Sequence, residues 1–123
     1  MTVAILKQGD HLIASIQSAL RDDEVLELRD ELADRVGRLR ARGIVVDVTA
    51  LDVIDSFVAR SLRTIALTAK LRGAVTVIVG IQPEVAVAMV QFKLNLEPLH
   101  TALDLEEGLD LLSSLTAQLP HRS

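Results

Sequence analysis

Two short runs of branched apolar residues constrain the fold of this chain more than any other feature. Residues 44–48 contain one charged residue, Asp47, and Val75–Val79 contains none. Strands that are covered on both faces have continuous apolar sequences of this kind. Between the two runs, Ser56–Leu71 is long and apolar enough to form a deeply packed helix that Gly73 ends. Strands that alternate with helices in this way predict an α/β layer fold.

The residues before these runs predict a hairpin and a first helix. Residues 3–6 and 12–16 are short β-prone runs around a Gln-Gly-Asp turn, so the sheet is expected to be mixed rather than wholly parallel. Apolar residues then recur at spacings of three and four, which predicts an amphipathic helix. That helix is expected to begin at a cap formed by Asp22 or Asp23 and to end at Gly43.

The residues after the runs predict two further helices. A proline in the first turn favours a helix over residues 83–94, and residues 99–103 are expected to be extended. Asp104 and Glu107 form an acidic variant of the capping box, which predicts the start of a last helix. The apolar stripe of that helix consists of Leu105, Leu109, Leu112 and Leu115.

Composition excludes several classes of protein. The 123 residues suffice for one domain with a hydrophobic core, which we assign to residues 1–117, followed by a frayed tail over residues 118–123. The absence of cysteine excludes disulfides, thiolate catalysis and cysteine-based metal sites. A net charge of −4 and 2% aromatic residues argue against nucleic-acid binding. With no signal sequence and no apolar run of membrane-spanning length, the chain is expected to be cytoplasmic, without a membrane partner.

Few residues suggest catalysis. The three histidines, His11, His100 and His121, lie in separate segments without the spacing of a helical metal pair, so each is interpreted as a surface residue. No phosphate-binding loop or nucleophile elbow is present in the sequence. We therefore expect no enzymatic activity, no cofactor and no metal.

Three acidic residues gather near the end of the first buried strand, where open α/β sheets place their sites. Asp47, Asp52 and Asp55 could hold a divalent ion. Alternatively, Asp47 accepts hydrogen bonds from loop amides while the other two stabilise the start of the following helix. A receiver-like phosphotransfer domain that uses Asp47 with magnesium is one hypothesis. Against it, no acidic pair lies near the first strand, and Lys93 is expected inside a helix rather than after a late strand.

Ser56 follows this acidic group at the expected helix start. A serine in that position is ordinarily an N-cap. An exposed hydroxyl there is also well placed to carry a phosphate, which would gain from free amides and lose from Asp52 and Asp55. Ser61 and Thr64 are expected to lie within the helix with their hydroxyls held against its body.

The string IVVDVTALDVIDSFVARSL, residues 44–62, resembles the phosphorylation-site segment of STAS domains, the sulfate-transporter and anti-sigma-factor-antagonist family. In that family a strand ends in Asp and a D-S or D-T pair opens the next helix. The resemblance continues through AKLRGAVTVIVGIQPEVAVAMV and HTALDLEEGLDLL, which are similar to the stressosome branch, and extends from Ile5 to about Leu115. It implies a single STAS-type domain with a mixed sheet and flanking helices.

Within that branch the chain resembles the small scaffold subunit S rather than the sensory subunit R. The R type carries a separate N-terminal sensor domain, for which 123 residues leave no room. The R type also has Thr at the D-S position and a second Thr after a G-I-R-P-like loop, where this chain has Ser56 and Ala88. The resemblance therefore implies one phosphoacceptor, Ser56.

The resemblance also implies a non-enzymatic role in stress-response signalling. The scaffold would sequester a partner serine kinase and release it after phosphorylation of Ser56, and a phosphatase would reset the serine. It would co-assemble with the sensory STAS subunit in a homo-oligomer and large hetero-complex; the alternative is a free anti-sigma factor antagonist. Partner contacts are expected at the strand ends and the adjoining helix, at Asp52, Asp55, Ser56, Arg60, Gly80, Ile81, Gln82 and Pro83.

Overall fold

The computed structural model describes residues 3–97 and 99–117, which form one five-stranded sheet flanked by helices. The strands are β1 (Val3–Gln8), β2 (His11–Ile16), β3 (Gly43–Asp47), β4 (Val75–Val79) and β5 (His100–Ala102). The helices are α1 (Asp22–Leu39), α2 (Ser56–Leu71), α3 (Pro83–Gln91) and α4 (Leu105–Thr116). The strands lie in sequence order, with β1 antiparallel to β2 and every other pair parallel. The predicted mixed α/β sheet is confirmed, whereas the predicted frayed tail over residues 118–123 and His121 lie outside the described residues.

The sheet is covered on both faces, but unequally. Successive residues of a strand point to opposite faces, so each buried strand supplies both layers of the core. The larger core lies between the sheet and helices α1, α2 and α3, and it includes Ile44, Val46 and Ile78. On the other face α4 packs against β3 and β4, where the fully buried residues are Val45, Val77, Val79 and Leu112.

Helix α1 differs from the sequence prediction at both ends. It begins after Arg21, whose amide donates to Glu24 Oε1 at 3.0 Å, so neither predicted aspartate is the cap and both lie in the first turn. It ends at Leu39, and the C-cap Arg40 adopts a left-handed conformation with φ 53°. Gly43, the predicted end, instead opens β3, where a Cβ would collide with the side chain of Leu112. The glycine at that position therefore reflects the close approach of α4.

Helices α3 and α4 also depart from their predicted boundaries or faces. Helix α3 ends at Gln91, and Lys93 follows in a turn with φ 55° instead of lying within the helix. Asp104 caps α4 as predicted, since its Oδ1 accepts from the amide of Glu107 at 2.9 Å. Of the predicted leucine stripe, Leu112 is fully buried, Leu105 is exposed, and Leu109 and Leu115 are half-buried. The buried residues of α4 are Gly108, Leu112 and Thr116, and at Gly108 the helix lies so close to the sheet that a Cβ would collide with the side chain of Val79.

Candidate functional site

The candidate site lies at the edge of the sheet where β3 and β4 end. Asp47 and Val79, the last residues of these strands, are paired in register. The amide of Val48 donates to the carbonyl of Val79 at 3.0 Å, so the parallel pairing continues into the loop. The segments after the two strands leave the sheet side by side, as predicted from the sequence. This edge brings the acidic loop, the start of α2 and the Gly-Ile-Gln-Pro loop together.

Asp47 braces the loop after β3. Its Oδ1 accepts hydrogen bonds from the amide of Thr49 at 2.9 Å and from the hydroxyl of Thr49 at 2.6 Å. The side-chain amide of Gln82 donates to the carbonyl of Thr49 at 2.6 Å, which ties this loop to the loop after β4. Asp47 therefore accepts a hydrogen bond from a loop amide, as the second hypothesis for this residue predicts. Among residues 3–97 and 99–117, no three or more His, Cys, Asp or Glu side chains are grouped so that they could hold a metal ion.

The start of α2 corrects the interpretation of Ser56 as the N-cap. Asp55 is the cap, because its Oδ1 accepts from the amide of Val58 at 2.8 Å. A carboxylate in this position satisfies a free amide and also interacts favourably with the positive end of the helix dipole. Ser56 is the first helical residue, it is exposed, and its hydroxyl makes no hydrogen bond within the described part of the chain. The aspartate thus leaves the serine hydroxyl accessible to another protein.

The hydroxyls and arginines further along α2 are not equivalent. Ser61 is buried, as expected, but Thr64 is exposed, contrary to the expectation that both hydroxyls are held against the helix. Arg60 donates from Nε to the carbonyl of Ser56 at 3.3 Å, whereas Arg63 donates to the carbonyl of Glu97 at 3.1 Å. Arg63 therefore holds the segment before β5, while Arg60 stays beside the phosphoacceptor candidate.

A groove of about 460 Å³ runs beside Ser56, between the start of α2 and helix α3. Its lining is mostly apolar and carries three carboxylates: the residues are Asp52, Val53, Ile54, Asp55, Ser56, Glu84, Val85, Ala88, Phe92 and Leu94. Val53 is 70% exposed and Phe92 is 76% exposed. Exposed large apolar groups beside a cleft mark an interaction surface. The sequence does not predict this groove, because its apolar pattern predicts a helix that continues through Phe92 and Leu94.

The predicted partner-binding residues fall into two groups. Asp52, Asp55, Ser56 and Arg60 are exposed around the start of α2. The loop after β4 is less accessible: Gly80, Ile81 and Gln82 are half-buried, and Pro83 is exposed. Ile81 packs against the larger core and Gln82 is committed to the neighbouring loop. The structure places both groups at one edge of the sheet, and contact with a partner stays a prediction for each.

The two histidines in the described residues lie apart from this site. His11 pairs with Gly43 at the opposite edge of the sheet, and it is half-buried rather than a surface residue as predicted. Burial lowers the pKa of His11 below its usual value, with a smaller opposing effect from Asp10. His100 is exposed at the start of β5.

Comparison with known proteins gives one family. The model of the STAS domain matches residues 2–108. The RsbS protein of Moorella thermoacetica, in a serine-to-glutamate variant, is 36% identical with a TM-score of 0.80, and the match covers 96% of this chain and all of that chain. A chain of the structure described as "Molecular architecture of the stressosome, a signal integration and transduction hub" is 34% identical with a TM-score of 0.73, and the match covers 94% of this chain and 100% of that one.

A longer relative shares only this domain. The RsbT co-antagonist protein RsbRA of Bacillus subtilis (strain 168) is 26% identical over 89 residues, which cover 72% of this chain and 32% of that protein. The chain thus spans about a third of the length of that relative. No helix among residues 3–97 and 99–117 is both long and apolar enough to cross a membrane. The family match, the five-stranded sheet and the likeness to RsbS confirm the resemblance found in the sequence: the chain belongs to the STAS domain family and is similar to RsbS and to a chain of the stressosome structure.

Proposed function

We propose that this protein is a non-enzymatic scaffold subunit of a stressosome-type assembly, which sequesters a serine kinase and releases it when Ser56 is phosphorylated. One observation carries the proposal. Asp55 caps α2 and leaves the Ser56 hydroxyl exposed and without a hydrogen bond in the described residues, at the mouth of an apolar groove. A hydroxyl in that position is open to a kinase, and a partner that covers the groove would sense its modification.

Charge explains how phosphorylation would release such a partner. A phosphoserine adds roughly −1.5 to −2 charges at neutral pH. Three carboxylates, those of Asp52, Asp55 and Glu84, already line the groove. A partner that buries Val53 and Phe92 would have to desolvate the phosphate together with these carboxylates, and burying uncompensated charge is costly. The modification therefore opposes docking without any change in the fold.

Similarity supports the rest of the assignment. The likeness to a chain of the stressosome structure and to the shared domain of RsbRA supports co-assembly with a sensory STAS subunit in a large cytoplasmic complex that contains several copies of this chain. RsbRA is described as a co-antagonist of RsbT, which supports a partner common to RsbRA and this chain, and in our proposal that partner is the serine kinase. A phosphatase that resets Ser56 completes the proposed cycle.

The first prediction concerns the site of phosphorylation. We expect the cognate kinase to phosphorylate Ser56 alone, because its hydroxyl lies at the open end of α2. Ser61 is buried, and Thr64 is exposed but lies two helical turns away from the groove mouth. Mass spectrometry of the phosphorylated chain, with Thr64→Ala as the matched control and Ser56→Ala as the test, measures this. Label that persists in Ser56→Ala would contradict the assignment. Labelling by acetyl phosphate and magnesium without a kinase would instead favour phosphotransfer at Asp47.

The second prediction concerns the kinase-binding surface. Charge reversal of Asp55 would also remove the α2 cap, so Asp52→Lys is the cleaner change, since the Asp52 side chain makes no hydrogen bond within the described residues. We expect it to weaken kinase binding at least fivefold, more than an exposed ion pair would contribute (about 0–1 kcal/mol), because a cation of the kinase that pairs with this carboxylate in the desolvated interface would meet a lysine instead. Pull-down of the kinase and gel filtration with the sensory STAS subunit measure binding and assembly separately.

The control for that experiment is Asp110→Lys, an equal change of charge at an exposed position on α4, on the opposite face of the sheet. It should leave kinase binding unchanged. Asp52→Lys should leave co-assembly unchanged. Loss of assembly together with loss of kinase binding in Asp52→Lys would show that one surface serves both partners, and the separation of the two functions would be wrong.

A further inference from the structure

The guanidinium of Arg60 lies beside the backbone of the phosphoacceptor. Its Nε donates to the carbonyl of Ser56 at 3.3 Å, the only hydrogen bond that the Arg60 side chain makes in the described part of the chain. No carboxylate among the described residues forms an ion pair with it, although arginines elsewhere on the surface are paired. Arg60 is therefore an exposed cation without a counter-charge among the described residues, on the residue that follows Ser56 by one helical turn.

We propose that Arg60 clamps the phosphate of phosphorylated Ser56 and is thereby withdrawn from the binding surface. The proposal rests on phosphorylation of Ser56 and adds how the modified site is held. Residues four apart lie on the same face of a helix, and an anion that precedes a cation at this spacing is the favourable order. Arginine binds phosphate oxygens through two parallel N–H donors, and the Nε of Arg60 already reaches the backbone of residue 56.

Other charges around Ser56 make this clamp necessary. Asp52 and Asp55 from the preceding loop and Glu84 from α3 line the groove, whose lining includes no lysine or arginine. The first amides of α2 are only partly available, since Asp55 already accepts from the amide of Val58. A phosphate placed here would face carboxylates on two sides. Arg60 lies one turn further along α2, outside the lining of the groove, and supplies the opposing charge from there.

The clamp would make one modification change two charges on the surface. Before phosphorylation Arg60 is exposed and can pair with a carboxylate of the docked kinase. After phosphorylation the guanidinium binds the phosphate, so the kinase loses that ion pair and also meets a new anion. Release then has two causes: the kinase loses its ion pair with Arg60, and one guanidinium leaves part of the phosphate charge of roughly −1.5 to −2 uncompensated.

Titration of the phosphate tests the clamp without any kinase. Phosphoserine is installed at position 56 during translation, and its second ionisation, about pH 6 for a free phosphoserine, is followed by ³¹P NMR. Arg60 stabilises the dianion, so Arg60→Gln should raise the pKa of the phosphate by roughly 0.3 to 0.5 pH units. Arg60→Lys keeps the charge and should restore part of the shift.

Arg63→Gln is the matched control, because Arg63 lies on the same helix but donates to the carbonyl of Glu97. It should leave the phosphate titration unchanged. Equal titration curves for the parent and Arg60→Gln, or an equal shift in Arg63→Gln, would overturn the clamp. Failure of the kinase to bind the unphosphorylated chain would contradict the proposed function, and the titration would still decide the role of Arg60.

Discussion

Replacing Leu112 with alanine is expected to lower the free energy of unfolding by about 2–5 kcal/mol. Leu112 is the fully buried leucine of the smaller core, where three buried valines from β3 and β4 and the partly buried leucines of α4 surround it. Within residues 3–97 and 99–117, α4 is the helix that packs on this face of the sheet. The nearby glycines, Gly43 and Gly108, contribute no side-chain atoms that could move into the cavity. The partly buried leucines of α4 should therefore fill only part of the vacated space, and the cavity that remains adds to the loss of transfer free energy.

Urea denaturation of the parent, of Leu112→Ala and of Leu105→Ala measures this effect. Leu105 lies on the same helix but is 37% exposed, so the same change of chemistry should cost much less there. Equal losses of stability in both variants would contradict the conclusion that burial of Leu112 stabilises the smaller core. Ser56 lies at the start of α2, on the other face of the sheet, so phosphorylation of the folded Leu112→Ala protein should proceed as in the parent.

The parts of the fold that the sequence predicts are those in which local and tertiary signals agree. Strand β4 is continuous in branched apolar residues, and its observed bounds, Val75–Val79, are the predicted ones. Helix α2 also has its predicted bounds, Ser56–Leu71, because an aspartate precedes it and a glycine follows it. The apolar pattern of β4 fits a buried strand and that of α2 fits a helix. Each pattern therefore predicts its own element without an alternative.

The start of α2 shows where residue patterns stop being decisive. Asp55 and Ser56 are both good N-caps, and sequence preference does not separate them. The structure selects the aspartate, and this choice determines whether the serine hydroxyl is bound or exposed. The role of Ser56 therefore depends on a difference of one residue that periodicity cannot resolve.

The end of α3 shows a second limit. Phe92 and Leu94 continue an apolar pattern, which predicts a helix to residue 94. The observed helix ends at Gln91. The turn that follows places both residues in the groove beside Ser56. An apolar residue that lines an interaction groove looks, in sequence, like a core residue. Only tertiary structure distinguishes the two, which is why the groove could not be predicted.

The largest expected effect at the site itself comes from Gly80→Ala. Gly80 has φ 82°, in the left-handed region that residues with a Cβ rarely adopt, and a Cβ there would collide with the hydroxyl of Thr49. Backbone strain and overpacking together should lower the free energy of unfolding by about 2–4 kcal/mol. Thr49 accepts the hydrogen bond from Gln82 and is itself braced by Asp47, so its displacement would separate the two loops. We therefore expect kinase capture to fall along with stability.

Gly9→Ala separates the two causes. Gly9 lies in the turn between β1 and β2 with φ 60°, and no atom lies within 4 Å of the position of a Cβ, so this variant carries the backbone strain without the collision. Urea denaturation should give a smaller loss for Gly9→Ala than for Gly80→Ala, with kinase pull-down unaffected in the former. Thr49→Ala combined with Gly80→Ala removes the colliding hydroxyl and should recover part of the stability. Kinase capture should not recover, because the hydrogen bond from the threonine hydroxyl to Asp47 is lost as well. Equal stabilities of Gly9→Ala and Gly80→Ala would show that the loop accommodates a side chain at position 80 without added cost. The rigid link between the ends of β3 and β4 would then be refuted.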